Sequence, residues 1–471
     1  MAVSLRDTRG RESVQCACTE VRVNAIPEKQ LDFSASNRLR VRAHTLIPGG
    51  AHTYAKGDDQ YPVLSPGFIA RGSGCHVWDV DGNAFIEYGM GNRAVGLGHA
   101  HPAVLDAVRE ALAGGCNFTR PAAIEVRAAE QFLLLVPGAE MVKFCKDGSD
   151  ATSAAMRLAR AYTGRDLIAI CADHPFFSTD DWFIGTTPVN SGVPDAVKAL
   201  TLTFRYGDLA SVRALFDAHP GRIAALILEA TRGADPAPDY LPALKDICHS
   251  NGALLVLDEM ITGFRWAAGG AQERFGIDPD LSCFGKALAN GFSVSALAGK
   301  REIMRLGGLD HQDRPRVFLL STTHGAETHA LAAAIANMRI YETEPVIAHL
   351  WRQGAKLKAG AEAAIAAHGL NDHVQIVGQD CCLAYATLDA DKKPSQAFRS
   401  LFLQETIRRG VLMPSLVVSY AHTDADIERT VAAIDGALRI YRRGLEDGVE
   451  RHLVGRPSQV VYRAWNGPPP A

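Results

Sequence analysis

The sequence of 471 residues lacks a surplus of positive charge, a long hydrophobic run and a regular spacing of cysteines. Its 49 lysines and arginines are balanced by 52 aspartates and glutamates, so no basic surface for nucleic acid or anionic lipid is expected. The sequence contains no run of about 18 apolar residues, so no membrane span is predicted. The ten cysteines stand singly or in close pairs, which favours a reducing cytoplasm over a disulfide-stapled secreted domain. We therefore expect a small-molecule partner or a second subunit.

Three weaker patterns are set aside. Residues 89–94 fit the dinucleotide fingerprint Gly-x-Gly-x-x-Ala, but further glycines and a proline follow, so no helix is expected to open there. The pair His99 and His101 has no nearby carboxylate or cysteine, and Cys16 with Cys18 has no second ligand pair, so no metal site is predicted. A Gly-x-Ser-x-Gly motif is absent, which leaves a serine hydrolase without support.

The order of apolar runs predicts an α/β protein. Alternation on both sides of Asp-Gly-Asn at 81–83 indicates a hairpin. Short apolar runs at 141–145, 167–171, 224–228 and 253–257, mostly separated by helical patterns, indicate a parallel sheet covered on both faces. Beyond about residue 330, long alanine-rich helices and a strand-like run at 382–388 indicate a second, α+β domain.

Two charged residues carry the strongest local signal. Asp258 ends an apolar strand, and the carboxyl ends of parallel strands are where open α/β sheets bind ligands. Lys286 follows 28 positions later, within a largely apolar stretch. Partial burial lowers the pKa of an ammonium group, which makes the neutral amine available as a nucleophile toward a carbonyl.

A third element suits a phosphate group. Residues 144–152 run from a strand through Gly148 and Ser149 into a helix, so free N–H groups gather at a helix N-terminus. A phosphate cup, a strand-end aspartate and a sheltered lysine are together the parts that bind pyridoxal 5′-phosphate.

The sequence resembles the class III pyridoxal-phosphate aminotransferases of fold type I, and within them the glutamate-1-semialdehyde 2,1-aminomutase group. The matching motifs are Leu-Ile-Pro-Gly-Gly at 46–50, Trp-Asp-Val-Asp-Gly-Asn at 78–83, Gly-His-Ala-His-Pro at 98–102, Arg-Leu-Ala-Arg-Ala-Tyr-Thr-Gly-Arg at 157–165, Leu-Asp-Glu-Met-Ile-Thr-Gly-Phe-Arg at 257–265 and Gly-Lys at 285–286. They span about residues 45–445.

The resemblance implies both the roles of single residues and the architecture. Lys286 would form the imine with the cofactor, Asp258 would pair with its pyridine nitrogen, and Gly148 with Ser149 would hold its phosphate. A homodimer is implied, with Thr322 reaching the neighbour's phosphate. We expect a large cofactor-binding domain with a mostly parallel, seven-stranded type of sheet and a small α+β domain. The predicted segments are an N-terminal extension and helix at 1–45, small-domain parts at 46–89 and 331–445, the large domain at 90–330 and a peripheral tail at 446–471.

The departures from the family pattern lie around the substrate. Lys56 stands where the aminomutase group has a carboxylate-binding arginine. Asn92, which precedes Arg93, replaces a tryptophan of that group, and Asp173 replaces its ring-stacking tyrosine. Phe176 or Phe177 would then cover the ring. Glu229 precedes alanine instead of the proline usual in the family. We predict that it is one of the cofactor-binding residues.

The resemblance implies an amino-group transfer, and these changes predict a rebuilt substrate site. The donor is an amino acid such as glutamate, and the acceptor an aldehyde or ketone, with an oxidised sugar, cyclitol or aminoglycoside-type intermediate as the candidate. Lys56, Asn92 and Arg93 are the candidate substrate-binding residues. An intramolecular glutamate-1-semialdehyde aminomutase and a non-catalytic protein of the same fold stay open as alternatives.

Overall fold

The computed structural model describes residues 31–231 and 233–466. Cys16, Cys18 and most of the predicted N-terminal extension lie outside these residues. The strands of the described chain are β1 (Ile69–Ser73), β2 (His76–Asp79), β3 (Ala84–Glu87), β4 (Met141–Cys145), β5 (Leu167–Cys171), β6 (Thr201–Phe204), β7 (Ile223–Leu228), β8 (Leu254–Asp258), β9 (Leu281–Phe284), β10 (Ser295–Gly299), β11 (Val374–Gln379), β12 (Cys382–Thr387) and β13 (Val411–Leu412).

Seven of these strands form the central sheet, in the order β4-β10-β9-β8-β7-β5-β6. Only β10 runs against its neighbours β4 and β9, while β9, β8, β7, β5 and β6 are parallel. Every residue of β5, β7, β8, β9 and β10 is buried, because helices cover both faces of a sheet of this kind. The mostly parallel sheet predicted from the apolar runs is confirmed.

Helices account for the two covering layers. Those of ten or more residues are Ser34–Leu46, Pro102–Ala113, Ala123–Leu135, Gly148–Thr163, Leu209–Ala218, Tyr240–Ser250, Thr328–Thr343, Val346–Ala367, Gln396–Arg408 and Asp424–Asp447. Shorter ones are Asp181–Ile184, Asp195–Lys198, Ala271–Phe275 and Arg301–Met304. None of the helices in the described part of the chain is long and apolar enough to cross a membrane.

Alternate residues of each strand pack on opposite faces of the sheet. Ile168 and Ile170 of β5 share a core with the helix Gly148–Thr163. Leu167 and Ala169, their neighbours in the strand, share another core with the helix Tyr240–Ser250 on the other face. The first of these helices therefore lies firmly against the sheet, which fixes where its N-terminus points.

A second sheet joins the two ends of the chain. It has the order β1-β2-β3-β13, and β13 pairs in parallel with β3 through Val411 and Ile86. The predicted hairpin is confirmed as β2 and β3, with Gly82 in the turn at a φ of 85° that favours glycine. The domain boundaries given above stay predictions.

Candidate active site

The polar groups predicted to act together lie at one edge of the central sheet. Asp258 is the last residue of β8, Glu229 follows β7, and Lys286 comes two residues after β9. Because β9, β8 and β7 are parallel neighbours, their carboxyl ends meet at this edge. The strand-end aspartate and the lysine are thus brought together as the sequence analysis expected.

Asp258 is a buried carboxyl group close to the charged side chains of Glu229 and Lys286. It is 2 % exposed, and its Oδ1 accepts a hydrogen bond from the Met260 N–H at 2.9 Å. Burial, together with the nearby Glu229 carboxylate, raises its pKa to about 7, while the Lys286 ammonium acts in the opposite direction. No donor among the described residues reaches its Oδ2. A cationic N–H donor at that position, such as a pyridinium, would stabilise the charged form.

Lys286 is half-buried, and its backbone has a φ of 45° at the start of a short 3₁₀ turn, Lys286–Ala289. Burial lowers the pKa of its ammonium group, against the attraction of Asp258 and Glu229, and the Arg93 guanidinium lowers it further. The neutral amine is therefore more accessible than that of an exposed lysine.

The expected phosphate cup at the start of the helix Gly148–Thr163 has fewer free N–H groups than the sequence suggested. Asp147 caps the helix Gly148–Thr163, and its side chain accepts the N–H groups of Ser149 and Asp150 at 2.8 and 3.0 Å. The Ser149 N–H is thus already engaged. The Gly148 N–H has no acceptor among the described residues, and the Ser149 hydroxyl, which accepts from the Thr179 N–H at 3.0 Å, keeps its own proton to donate. These two groups are the ones that fit a phosphate oxygen.

Met260 is a residue of the site that sequence reasoning missed. A Cβ added at Gly148 would lie 2.9 Å from its sulfur, and one added at Gly285 would lie 2.6 Å from it. A side chain at either position would therefore press on the Met260 thioether, which lies between the helix N-terminus and the residue before Lys286. The Gly148 N–H and the Ser149 hydroxyl, together with the buried Asp258 carboxyl group and Lys286, form a set of groups that fits a heterocycle carrying a phosphate. The signal was available, since Met260 is two residues beyond Asp258 in the matched motif.

The expected ring-stacking residues have other contacts. The Phe176 ring is 44 % exposed and meets Phe183 edge-on at 5.6 Å, and Phe177 is buried against the same ring. Asp173 points to the surface, where it pairs with Arg205 at 2.9 Å.

The aromatic ring beside the strand ends is instead His174, which sequence reasoning did not single out. It is 3 % exposed, and its Nδ1 accepts the Glu229 N–H at 2.9 Å. We therefore regard the His174 imidazole, which lies three residues beyond β5, as a candidate wall of the cofactor site.

Two of the three candidate substrate residues line one cavity of about 460 Å³. Its polar lining includes Arg40, His44, His52, Lys56, Asp58, Tyr61, Glu87, Asn92 and His99. Lys56 is exposed and has no ion-pair partner among the described residues. Arg93 does not line the cavity, but it is close enough to Lys286 to affect the pKa of that lysine.

Asn92 and Arg93 belong to a left-handed helical turn, Met90–Arg93. All four of its residues have positive φ angles, of 43°, 59°, 56° and 73°, and only Gly91 is glycine. The turn is closed by the Arg93 N–H, which donates to the Gly89 carbonyl at 3.0 Å. Because left-handed residues with a side chain cost roughly 1–2 kcal/mol each, the surroundings must hold the turn in place. As predicted, residues 89–94 do not open a right-handed helix that could bind a dinucleotide.

A buried arginine supports that turn. Arg265 is fully buried, and it donates to the carbonyls of Cys381 and Val418 at 3.2 and 3.0 Å and to that of Arg93 at 3.5 Å. It has no carboxylate partner among the described residues. The Arg265 guanidinium group thus links the left-handed turn to the chain segments around residues 381 and 418.

Thr322 lies in an exposed segment, where its carbonyl accepts the Gly325 N–H at 3.2 Å. Its role toward a second subunit stays a prediction.

One cluster of metal-ligating residues lies apart from the strand ends. The Cys75 thiol is 3.5 Å from His76 Nδ1, and His76 Nε2 is 3.4 Å from an Asp426 oxygen. Burial and the Asp426 carboxylate raise the pKa of the thiol, so it stays protonated and donates to that carboxylate. We read the cluster as a hydrogen-bonded contact between β2 and the helix Asp424–Asp447.

The raised pKa of Asp258 leads to a prediction about stability. A carboxyl group whose pKa is 3.8 when unfolded and about 7 when folded and cofactor-free binds more protons in the folded state between these values. Its contribution to the free energy of unfolding therefore falls as pH rises from about 4 to 7. We expect Asp258→Asn to remove this slope from the cofactor-free protein, as measured by urea unfolding at several pH values. An unchanged slope in the variant would contradict the buried setting of this carboxyl group.

Solved structures define the class of protein. The internal aldimine form, with PLP, of the FumI protein from Sphingopyxis sp. MTA144 matches with a TM-score of 0.80 and 31 % identity, over 88 % of this chain and 97 % of that one. An omega-transaminase from Sphaerobacter thermophilus matches with a TM-score of 0.77 and 27 % identity, over 87 % and 98 % of the two chains. Together with the strand-end lysine and aspartate, these matches define a pyridoxal-phosphate-dependent enzyme of fold type I.

Sequence comparison gives the family. The model of the aminotransferase class-III family matches residues 54–175 and 185–434. A glutamate-1-semialdehyde 2,1-aminomutase from Sorangium cellulosum is 36 % identical over 444 residues, which cover 88 % of this chain and 98 % of that protein. One from Geotalea daltonii is 33 % identical over 87 % of this chain and 100 % of its own length. The chain belongs to the class III aminotransferases, which confirms the fold, cofactor and family predicted from the sequence.

Proposed function

We propose that this enzyme transfers the amino group of an amino acid, glutamate in the first instance, to an aldehyde or ketone that carries several polar groups. The observation that supports this acceptor class is the set of charged and hydrogen-bonding side chains, Lys56 and Asn92 among them, in the lining of the 460 Å³ cavity, whose remaining surface is mostly apolar. These polar side chains would bind hydroxyl or amino groups of the acceptor, while its carbon atoms would pack on the apolar part of the lining.

Lys286 is the proposed catalytic base and cofactor-bearing residue. Bound pyridoxal phosphate supplies an electron sink for the carbanion that remains when the α-proton of an amine is removed. The lowered pKa of Lys286 suits it to accept that proton and to return one during the second half of the reaction. Asp258 would keep the pyridine nitrogen protonated, and its burial strengthens this charge-assisted hydrogen bond.

The proposed contacts of the cofactor use the groups left free by the fold. The Gly148 N–H and the Ser149 hydroxyl would hold the phosphate, with Thr322 of a second subunit on its other side. Glu229 would act through its charge on Asp258, which lies one strand away. Phe176 stays a weaker candidate for covering the ring, because its ring is partly exposed and packs on Phe183.

The donor's carboxylate is proposed to bind Arg93 or Lys56. Arg93 is held by a strained turn beside Lys286, and strain of this kind is found at functional sites. Lys56 offers a single-point contact in place of the bidentate fork of an arginine.

The names of the curated relatives support a second candidate, an intramolecular aminomutase acting on glutamate-1-semialdehyde. Both reactions need Lys286, Asp258 and the same cofactor. They differ in the acceptor, and the exchange of an apolar wall for Asn92 favours the polar one.

The proposal includes a homodimer in the cytoplasm. Large apolar side chains stand exposed on the helices Pro102–Ala113 and Ala123–Leu135 and in the segments near them, among them Leu112, Phe118, Val126 and Leu134. A second copy would cover such a surface. All eight cysteines of the described residues are free thiols, as a reducing compartment favours.

The test of the proposal converts the enzyme to its amino form with glutamate and then offers a panel of keto- and aldehydo-sugars beside glutamate-1-semialdehyde. Return of the absorption band of the lysine-bound cofactor reports acceptor turnover. We expect turnover with at least one polar acceptor. Conversion of the semialdehyde to 5-aminolevulinate, with no turnover of any sugar, would replace the proposal by the aminomutase reading.

The same assay tests the donor site through Arg93→Asn. Asparagine tolerates the left-handed backbone, so the variant removes the charge and keeps the turn. We expect KM for glutamate to rise by about ten-fold or more, as for the loss of one charged hydrogen bond. An unchanged KM would exclude Arg93 and leave Lys56 as the donor contact.

A further inference from the structure

The C-terminal segment at 452–466 lies beyond residue 434, where the match to the family ends, and it is anchored to the rest of the protein. Ser458 is 1 % exposed, and its N–H donates to the Ser400 hydroxyl at 2.7 Å, on the helix Gln396–Arg408. Gln404 of that helix donates to the His452 carbonyl at 3.0 Å. These contacts anchor the segment to the helix Gln396–Arg408, although most of its residues are exposed.

The same segment contacts the stretch of chain that follows Lys56. The Gln459 N–H donates to the Asp59 carbonyl at 2.8 Å, and Arg456 donates to the Asp58 carbonyl at 2.8 Å. Arg463 pairs with the Asp59 carboxylate at 2.7 Å. Three contacts thus converge on two consecutive residues.

One of those two residues, Asp58, lines the cavity that is proposed to bind the substrate. Asp58 meets Arg40 at 3.6 Å and His44 at 3.2 Å from the helix Ser34–Leu46, and both of these residues line the cavity as well. Between that helix and β1 the chain has only short 3₁₀ turns, Pro48–Gly50, Tyr54–Lys56 and Asp58–Gln60. Such a stretch makes few hydrogen bonds of its own, so its position depends on the elements that hold it from outside.

We propose that residues 452–466 act as a strap that fixes the Lys56-bearing wall of the substrate cavity. Arg456 and Arg463 are positioning residues in this arrangement, since they act through Asp58 and Asp59 and do not line the cavity. The inference rests on the proposed function, because it takes Lys56 and its neighbours to contact the substrate. The strap adds to substrate affinity and leaves the chemistry at Lys286 unchanged.

The test compares the holoenzyme with a variant that ends at residue 451 and with the double variant Arg456→Met, Arg463→Met. The double variant has the full chain length and serves as the test if the truncated protein fails to fold. We expect KM for the acceptor to rise by about ten-fold in the truncated protein and by up to about five-fold in the double variant, in line with the loss of exposed ion pairs and hydrogen bonds. kcat and the amount of cofactor bound to Lys286 should stay unchanged.

Limited trypsin digestion gives a readout that does not depend on activity. Loosening of the wall should speed cleavage after Lys56 in both variants, while cleavage after Lys392, whose side chain is 57 % exposed in a loop that pairs with Asp372, should not change. The matched control is Arg439→Met, which removes a surface pair with Asp435 on the helix Asp424–Asp447 and should alter neither measurement.

The outcomes separate the strap from the proposed function. If Lys56→Met raises KM and the strap variants change neither KM nor cleavage after Lys56, the strap is rejected and the substrate site stands. If cleavage and KM change in the strap variants and Lys56→Met leaves every KM unaltered, the strap stands and Lys56 loses its assigned role.

Discussion

Lys286→Ala is expected to abolish the covalent link to the cofactor and to slow amino transfer by about 10²–10⁴-fold, the contribution typical of a positioned proton-transfer group. Lys286 is the amine that the fold places beside Asp258 with a lowered pKa, because its strand end is adjacent to that of β8. The measurement is borohydride reduction of the holoenzyme followed by peptide mapping, together with single-turnover rates with glutamate. The label should appear on the peptide that contains Lys286 and on no other.

The matched control for this experiment is Lys300→Ala. Lys300 follows the antiparallel strand β10, so it lies at the opposite edge of the sheet, where it pairs with Asp278 at 2.6 Å. Its loss should reduce stability slightly and leave labelling intact. A label found on Lys146 or Lys300 in the unmodified enzyme would overturn the assignment of Lys286.

Asp258→Asn is expected to slow exchange of the donor's α-proton by about 10²-fold or more, since a charged hydrogen bond inside a buried site contributes about 2–3 kcal/mol. The link between Lys286 and the cofactor should still form, because that reaction needs the lysine and not the charge on the pyridine nitrogen. Proton exchange is followed by NMR in deuterated water, and the link by its absorption band.

Glu259→Gln gives a strict control for Asp258→Asn. Glu259 is also fully buried, and burial raises its pKa to about 7. Its carboxylate accepts the N–H groups of Ala271 and Gln272 at 2.8 Å each, so it holds the start of a short helix. We therefore expect it to take no part in proton transfer. The control should lose stability and keep its exchange rate. Equal slowing in both variants would mean that Asp258 acts only through the fold.

The central parts of the site could be predicted because they follow from strand ends. An apolar run that stops at Asp258 and a second that stops before Lys286 fix both residues at one edge once the strands are parallel. The small residues of β10 gave no such signal, and its antiparallel direction depends on pairing with β4 and β9.

Other features depend on tertiary contacts that no local pattern carries. The segment 452–466 crosses to Asp58 and Asp59, far away in the sequence. The exposure of the Phe176 ring could not be predicted either, because the sequence does not show whether a phenylalanine stacks on a ligand or faces the solvent. The hydrogen bond from the Ser149 N–H to Asp147, in contrast, is a local helix N-cap that the sequence could have indicated. Met260 was readable in principle, since its place beside Asp258 is set by the same strand.

In the left-handed turn Met90–Arg93, side chains that would favour substrate binding lower the thermal stability of the protein. Glycine in place of a left-handed side chain removes steric strain, and the entropy it adds to the unfolded chain offsets only part of that gain. A selection for heat resistance alone would therefore favour glycine at Asn92 or Arg93 and discard the side chains proposed to meet the substrate. Libraries aimed at new acceptors should instead vary position 92 among asparagine, aspartate and histidine, the residues that accept this backbone most readily.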